Sequence, residues 1–221
     1  MKQVTISDIK KSEEIRVYIQ CADDALKGLG ITEHSFAHVN RCSENACKIL
    51  KGLGYSEREQ ELAQIAGYMH DIGNIVNRVE HAQSGAVMAF RILDRMGMKP
   101  DEIAQIISAI GNHDEGTAAP TNPITAALIL ADKSDVRRSR VRNDNIATFD
   151  IHDRVNYAVE KSELKLDADN KTIILSLKID TNICALMDYF EIFLGRMMLC
   201  RKAAEFLQIN FGLIINKTKL L

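Results

Sequence analysis

Leu62-Ala63-Gln64-Ile65-Ala66-Gly67-Tyr68-Met69-His70-Asp71-Ile72-Gly73-Asn74 is an apolar run that ends on an adjacent His-Asp pair and a Gly-containing turn. Upstream, Ser56 with Glu59 three residues on makes a capping box, so a helix opens there and reaches about His70. Consecutive residues of a helix point about 100° apart. Two such neighbours can therefore meet one metal ion only at a helix end or along a shared edge. The turn Ile72-Gly73-Asn74 is compatible with a helix end at this point.

Outward from this segment the chain reads as helix after helix. Apolar residues recur at helical spacing over 7–26, and Gly28 and Gly30 suit left-handed caps beyond it. A second helix is expected over 32–50, stopping at Gly52 and Gly54. Others are expected over 81–96, over 101–110, and from Pro123 to beyond Asp135; Pro100 and Pro123 stand at helix starts, where proline is tolerated. After Glu160 the texture changes. Residues 163–166 and 172–179 flank a polar turn and read as a β-hairpin, followed by a helix over 182–208 and a strand over 211–215. The expected architecture is mainly α: a helical bundle over 1–160 with a small α+β extension (hairpin, helix, strand) over 161–221.

Composition narrows the function. The 221 residues carry 28 Lys+Arg against 30 Asp+Glu, a formal charge of −2, so no global basic field exists to hold nucleic acid. Five cysteines without a Cys-x-x-Cys pair suggest reduced thiols and a cytoplasmic setting. The apolar stretch 184–200 is interrupted by Asp188, Glu191 and Arg196, which argues against a membrane span. An unpaired hairpin would leave open edges, so the extension is expected to pack on the helical body or on a second subunit, making a homodimer.

Histidine is scarce, six in the chain, yet five fall between residues 34 and 113 around the His-Asp pair. His34 and His38 are four apart and on one helix would share a face. His81 starts a later helix, His113 follows Ile110, and Asp132 lies in Leu130-Ala131-Asp132-Lys133. Nothing in the pattern ties His152 to this set.

The order His38, His70-Asp71, Asp132, with His81 and His113 between, resembles the HD-domain metal-dependent phosphohydrolase superfamily over roughly residues 30–140. His-Asp-Ile-Gly after an apolar helix, an upstream His-x-x-Arg (His38, Arg41) and a downstream Ala-Asp carry that resemblance. It implies that His38, His70, Asp71 and Asp132 hold one metal, that Asp71, His81 and His113 complete a second site, and that His70 and Asp71 are catalytic. His34 stands where some members place an extra ligand; for it, ligation and a surface or supporting role remain open. Imidazole and carboxylate donors suit Mn, Fe, Co, Ni or Zn, and two such ions would activate water for attack on phosphorus. The implied activity is hydrolysis of a phosphate ester or anhydride of a nucleotide or related small metabolite. Asn74 stands where relatives that cleave cyclic dinucleotides carry Lys, which argues against that substrate.

Lys133, Arg137 and Arg140 would share a face if the helix through Asp132 continued, and could then anchor substrate phosphates. A solvated face paired with Asp135 and Asp144 is the equal alternative. In the same way, a non-catalytic metal- or nucleotide-binding regulator is the alternative to an enzyme.

Overall fold

The computed structural model describes residues 3–221. Local capping sets where the first helices begin. Thr5 and Asp8 form a capping box ahead of α1 (Ile6–Lys11), and Ser12 then breaks the run by capping α2 (Glu13–Gly28) through Ile15 N–H. The single helix expected over 7–26 is thus two, because a serine hydroxyl offers the backbone a competing bond. Ser35 caps α3 (Phe36–Gly52), and the Ser56–Glu59 box opens α4 (Glu57–Met69) as its spacing implies. His34 therefore precedes α3 and does not share its face with His38.

A 3-10 turn (Ile72–Ile75) leads to α5 (His81–Arg95), then α6 (Pro100–Gly111) and α7 (Pro123–Lys133). Helix α7 ends at Lys133, short of the expected continuation past Asp135. Its cap, Ser134, turns its hydroxyl back onto Ala131 O at 2.9 Å, and a second 3-10 turn follows at Arg138–Arg140. A short helix α8 (Ile151–Ala158), capped by Asp150 on Asp153 N–H at 2.7 Å, has no counterpart in the periodicity reading.

The extension carries β1 (Val159–Asp167), β2 (Thr172–Ile179), α9 (Leu186–Phe206), β3 (Asn210–Ile215) and β4 (Thr218–Lys219). The sheet order is β1-β2-β3-β4. Strands β1 and β2 form the expected antiparallel hairpin, β3 runs parallel to β2, and β4 closes antiparallel. A parallel pair needs a crossover, and α9 supplies it.

Every residue of α7 from Ile124 to Lys133 is buried. Helices α3, α4 and α6 pack around it, α9 crosses it from the other side, and one apolar core runs from Val4 to Ile215. The fold is mainly α with a small C-terminal sheet. No helix among the described residues is long and apolar enough to cross a membrane.

Close backbone approach fixes the His-Asp turn. A Cβ on Gly73 would overlap the carbonyl oxygen of His81 and the backbone of Gly85, neither of which can swing aside. Gly73→Ala is expected to destabilise the protein by at least about 2 kcal/mol through overpacking, measured by urea unfolding; a loss below about 0.5 kcal/mol would show that the turn is free to shift.

Candidate metal centre

The helices bring His38, His70, Asp71, His81, His113 and Asp132 to one place, from five separate segments. His38 enters in the first turn of α3, His70-Asp71 follows the last residue of α4, and His81 starts α5. His113 follows α6, and Asp132 lies in the last turn of α7. All six are buried. The rings form an edge-to-face series, with centroids 5.4 Å apart for His34–His38, 5.3 Å for His38–His70, 4.9 Å for His70–His113 and 5.1 Å for His113–His81.

Each ring is held through Nδ1. His70 Nδ1 lies 2.9 Å from Gly67 O, His113 Nδ1 2.6 Å from Ile110 O, His81 Nδ1 3.0 Å from Arg78 O, and His34 Nδ1 2.6 Å from Thr32 O. A carbonyl can only accept, so these nitrogens carry the proton and Nε2 keeps its lone pair. His38 differs: its Nδ1 meets a carboxylate, Asp135 Oδ2, at 2.8 Å.

The Nε2 atoms converge on two carboxylates. His38 Nε2 lies 3.3 Å from Asp132 Oδ1 and 3.6 Å from Asp71 Oδ2; His70 Nε2 lies 3.1 Å from Asp71 Oδ2 and 3.8 Å from Asp132 Oδ1. The other oxygen of Asp71, Oδ1, stands 3.5 Å from His81 Nε2 and 3.9 Å from His113 Nε2. His70 Nε2 and Asp71 Oδ2 are fully buried and have no hydrogen-bond partner. Two acceptors facing each other in a dry site are costly unless a cation lies between them. Ligands about 2.0–2.2 Å from a tetrahedral ion stand about 3.3–3.6 Å apart, close to the separations found here. The donor set at His38, His70, Asp71 Oδ2 and Asp132 therefore fits a divalent metal.

Electrostatics point the same way. Burial lowers the pKa of His34 and His81 and pushes His113 down to about 3, helped there by His70 and Lys133, so these rings are neutral, the form that ligates. Burial opposes the charged form of Asp71 and Asp132, yet His70 beside the first and Lys133 beside the second hold both carboxyls well below their usual range. His70 goes the other way: burial is outweighed by the Asp71 and Asp132 carboxylates, which raise its pKa because carboxylates not neutralised by a cation favour a positive charge beside them.

Two members of the cluster lay outside the sequence reading. Cys42, one turn after His38 and fully buried, places Sγ 3.6 and 3.7 Å from the His38 nitrogens. His38, Cys42, His70 and Asp132 can present ligand atoms all within 4.8 Å of one another, as can His70, Asp71 and His113. Burial, reinforced by Asp132 and Asp135, raises the Cys42 thiol well above its ordinary pKa. Its i+4 spacing from His38 was the available signal. The second is Asp135, fully buried, whose Oδ1 faces Arg41 Nε at 3.1 Å and Arg137 Nε at 3.0 Å.

The basic run takes a different course from the expected one. Because α7 stops at Lys133, Arg137 and Arg140 do not share a helical face with it. Arg137 pairs with Glu33 Oε2 at 2.9 Å and with Asp135; buried Arg140 donates to Glu33 O and Asp135 O, both at 2.8 Å. Lys133 Nζ lies 2.7 Å from Asp132 Oδ2. A cavity of about 340 Å³ opens over the centre. Lys133 and Arg140 border it and Arg137 does not, while His34 borders it and His152 reaches its rim from α8.

The helical bundle gathers His38, His70-Asp71 and Asp132 beneath this cavity, in an arrangement that could hold a metal ion. Residues 35–139 match the family model for the HD domain. An uncharacterized protein of Methanocaldococcus jannaschii is 27% identical over 190 residues, covering 75% of this chain and 72% of its own. A solved structure described as a predicted HD superfamily hydrolase, from an uncultured Thermotogales bacterium, is 27% identical; the match covers 58% of this chain and 72% of that one, with a TM-score of 0.45.

The Asp135–His38 bond fixes the ring of one ligand and raises its basicity. Asp135→Asn is expected to weaken Mn²⁺ binding to the metal-free protein about 10–100-fold by calorimetry, with Asp135→Glu recovering part of the loss. Unchanged affinity in the Asn variant would take this role from Asp135.

Proposed function

We propose that this protein is a metal-dependent phosphohydrolase acting on a small phosphorylated substrate, a nucleotide being the favoured class. The observation that carries the proposal is the pair of unpartnered acceptors, His70 Nε2 and Asp71 Oδ2, beside a cavity that Asp71 lines together with Lys133, Arg140, Arg78 and Arg196. Metal ligands on one side and cations on the other make a place for phosphate oxygens. A cavity of about 340 Å³ falls at the compact end of the usual range for small-molecule sites, about 300–1,000 Å³, and supports a single nucleoside phosphate unit.

When bound by these ligands, divalent ions supply Lewis acidity toward phosphate oxygens and a nucleophilic water near neutral pH. The protein's own groups do the rest. His38, His70, Asp71 and Asp132 would hold the first position, and Asp71 Oδ1 with His81 and His113 outlines the second position that a dinuclear site would use. Lys133, nine-tenths or more buried, steadies Asp132 and directs positive charge into the cavity. Asp114, partly exposed and 3.9 Å from His81 Nε2, is the candidate proton donor to the leaving group. Glu115 is not, since it pairs with Arg196 at 2.5 Å and faces Lys133 at 3.8 Å.

The test is phosphate release by Mn²⁺-loaded protein from nucleoside mono-, di- and triphosphates and a dinucleoside polyphosphate. Turnover of at least one of these is expected, with Asp71→Ala abolishing it while the helical circular dichroism stays unchanged. Metal and nucleotide binding without release from any substrate would favour the non-catalytic regulator; near-normal turnover by Asp71→Ala would end the metal-ligand role of Asp71.

A further inference from the structure

The two metal positions differ in a way that singles out Arg78. At the first, His70 Nε2 and Asp71 Oδ2 have no partner within the protein. At the second, the corresponding atoms are engaged. Asn74 Nδ2 donates to Asp71 Oδ1 at 3.0 Å, and Arg78 Nη1 lies 3.4 Å from His81 Nε2 and 3.2 Å from Asn74 Oδ1. His81 gives its Nδ1–H to the carbonyl of Arg78 itself, so Nε2 is a lone-pair acceptor and the guanidinium is its donor. A cation already stands where a second metal would take its histidine ligand. Among the described residues Arg78 has no carboxylate partner within 4.0 Å, so this engagement is not the by-product of an ion pair formed elsewhere.

Charge explains why one guanidinium can serve there. The second position has one buried carboxylate oxygen, Asp71 Oδ1, already shared with the Asn74 amide, and a partly exposed one, Asp114 Oδ1, 3.9 Å from His81 Nε2, whereas the first has buried Asp132 as well as Asp71. A divalent ion at the second position would face two imidazole rings, one shared oxygen of Asp71, the partly solvated Asp114 and a fixed positive neighbour. The Arg78 side chain also borders the cavity, where a planar fork can meet a phosphate by two parallel bonds.

We infer that Arg78 supplies the second positive charge of the centre, so that this chain binds one divalent ion tightly and meets the far side of the substrate phosphate with a guanidinium. Arg78 and a second ion exclude one another. Val76, Asn77, Val79 and Glu80 around it are exposed, so the side chain can be replaced without opening the core. The inference rests on the metal-centre reading above.

The experiment is equilibrium dialysis of metal-free protein against micromolar Mn²⁺, with bound metal counted by mass spectrometry. The wild type is expected to hold one equivalent. Arg78→Met should hold two, and Arg78→Met with His81→Ala should return to one. Two tight equivalents in the wild type would overturn the inference and leave the metal centre standing, as would one equivalent in a folded Arg78→Met. No bound metal in any of the three would overturn the metal centre itself, and this inference with it. Independently of the variants, inorganic phosphate should bind the one-metal wild type at least about tenfold more tightly than one-metal Arg78→Met/His81→Ala, a difference of about 1.4 kcal/mol; equal affinity would remove the phosphate contact.

Discussion

Every histidine of the centre spends its Nδ1–H on a neighbouring acceptor, and the arrangement depends on where those acceptors come from. His70 uses Gly67 O and His113 uses Ile110 O, carbonyls in the last turns of α4 and α6. Last-turn carbonyls have no partner within their own helix, so each helix end supplies an acceptor at no loss to its ladder. The lone pairs on Nε2 then point away from the helix axes toward a common point. Asp132 arrives in the last turn of a third helix, α7. Three negative helix ends thus meet at one place, each favouring a cation by about 0.3–1 kcal/mol. The site is where it is because helices stop there.

This also explains how much could be read beforehand. Capping boxes, glycine stops and the His-Asp pair are local, and so the bundle, the hairpin and the convergence of His38, His70, Asp71 and Asp132 were legible in the sequence. What was missed depends on tertiary partners. Ser134 ends α7 by a bond to its own helix, but an identical serine in mid-helix could equally face solvent. Asp135 looked like one half of a surface pair; its burial between His38, Arg41 and Arg137 exists only once α3 and the segment after α7 are packed. His34 lost its expected place on the helix of His38 because Ser35 caps that helix, although the two rings still meet at 5.4 Å. Helix α8 escaped notice because Asp150 starts a helix too short for periodicity to reveal, and His152 on it was set apart from the cluster although it borders the cavity.

The basic run after Asp132 shows how packing redirects charge. Arg137 and Arg140 close over Glu33 and Asp135, Arg142 pairs with Asp23, and Arg138 donates to Tyr157 O at 2.6 Å with its guanidinium 4.5 Å above the Tyr157 ring. Four arginines that could have made an anion-binding face instead pin an irregular segment, 134–149, against the loop before α3 and against α8. An irregular segment has unpaired carbonyls, and arginine forks satisfy several of them at once. What remains for phosphate is Lys133 and the cations that reach the cavity from other elements. The positive charge of the cavity is therefore assembled from Lys133 and Arg140 of the run together with Arg78 and Arg196 from other segments.

The C-terminal unit has its place in the same arrangement. It contributes none of the candidate ligands, yet α9 lies on α7 and sends Phe193 and Arg196 to the cavity wall. The Arg196 guanidinium lies 4.4 Å above the Phe193 ring and pairs with Glu115, two residues beyond His113. Glu115 in turn faces Lys133, so the loop carrying His113, the end of α7 and the middle of α9 are joined through one carboxylate. A displacement of α9 would be felt first at Glu115 and next at Lys133, whose ammonium bears on Asp132. The extension is thus a wall of the site and not a separate appendage: the groups that set charge at the metal ligands are positioned in part by a helix that supplies none of them.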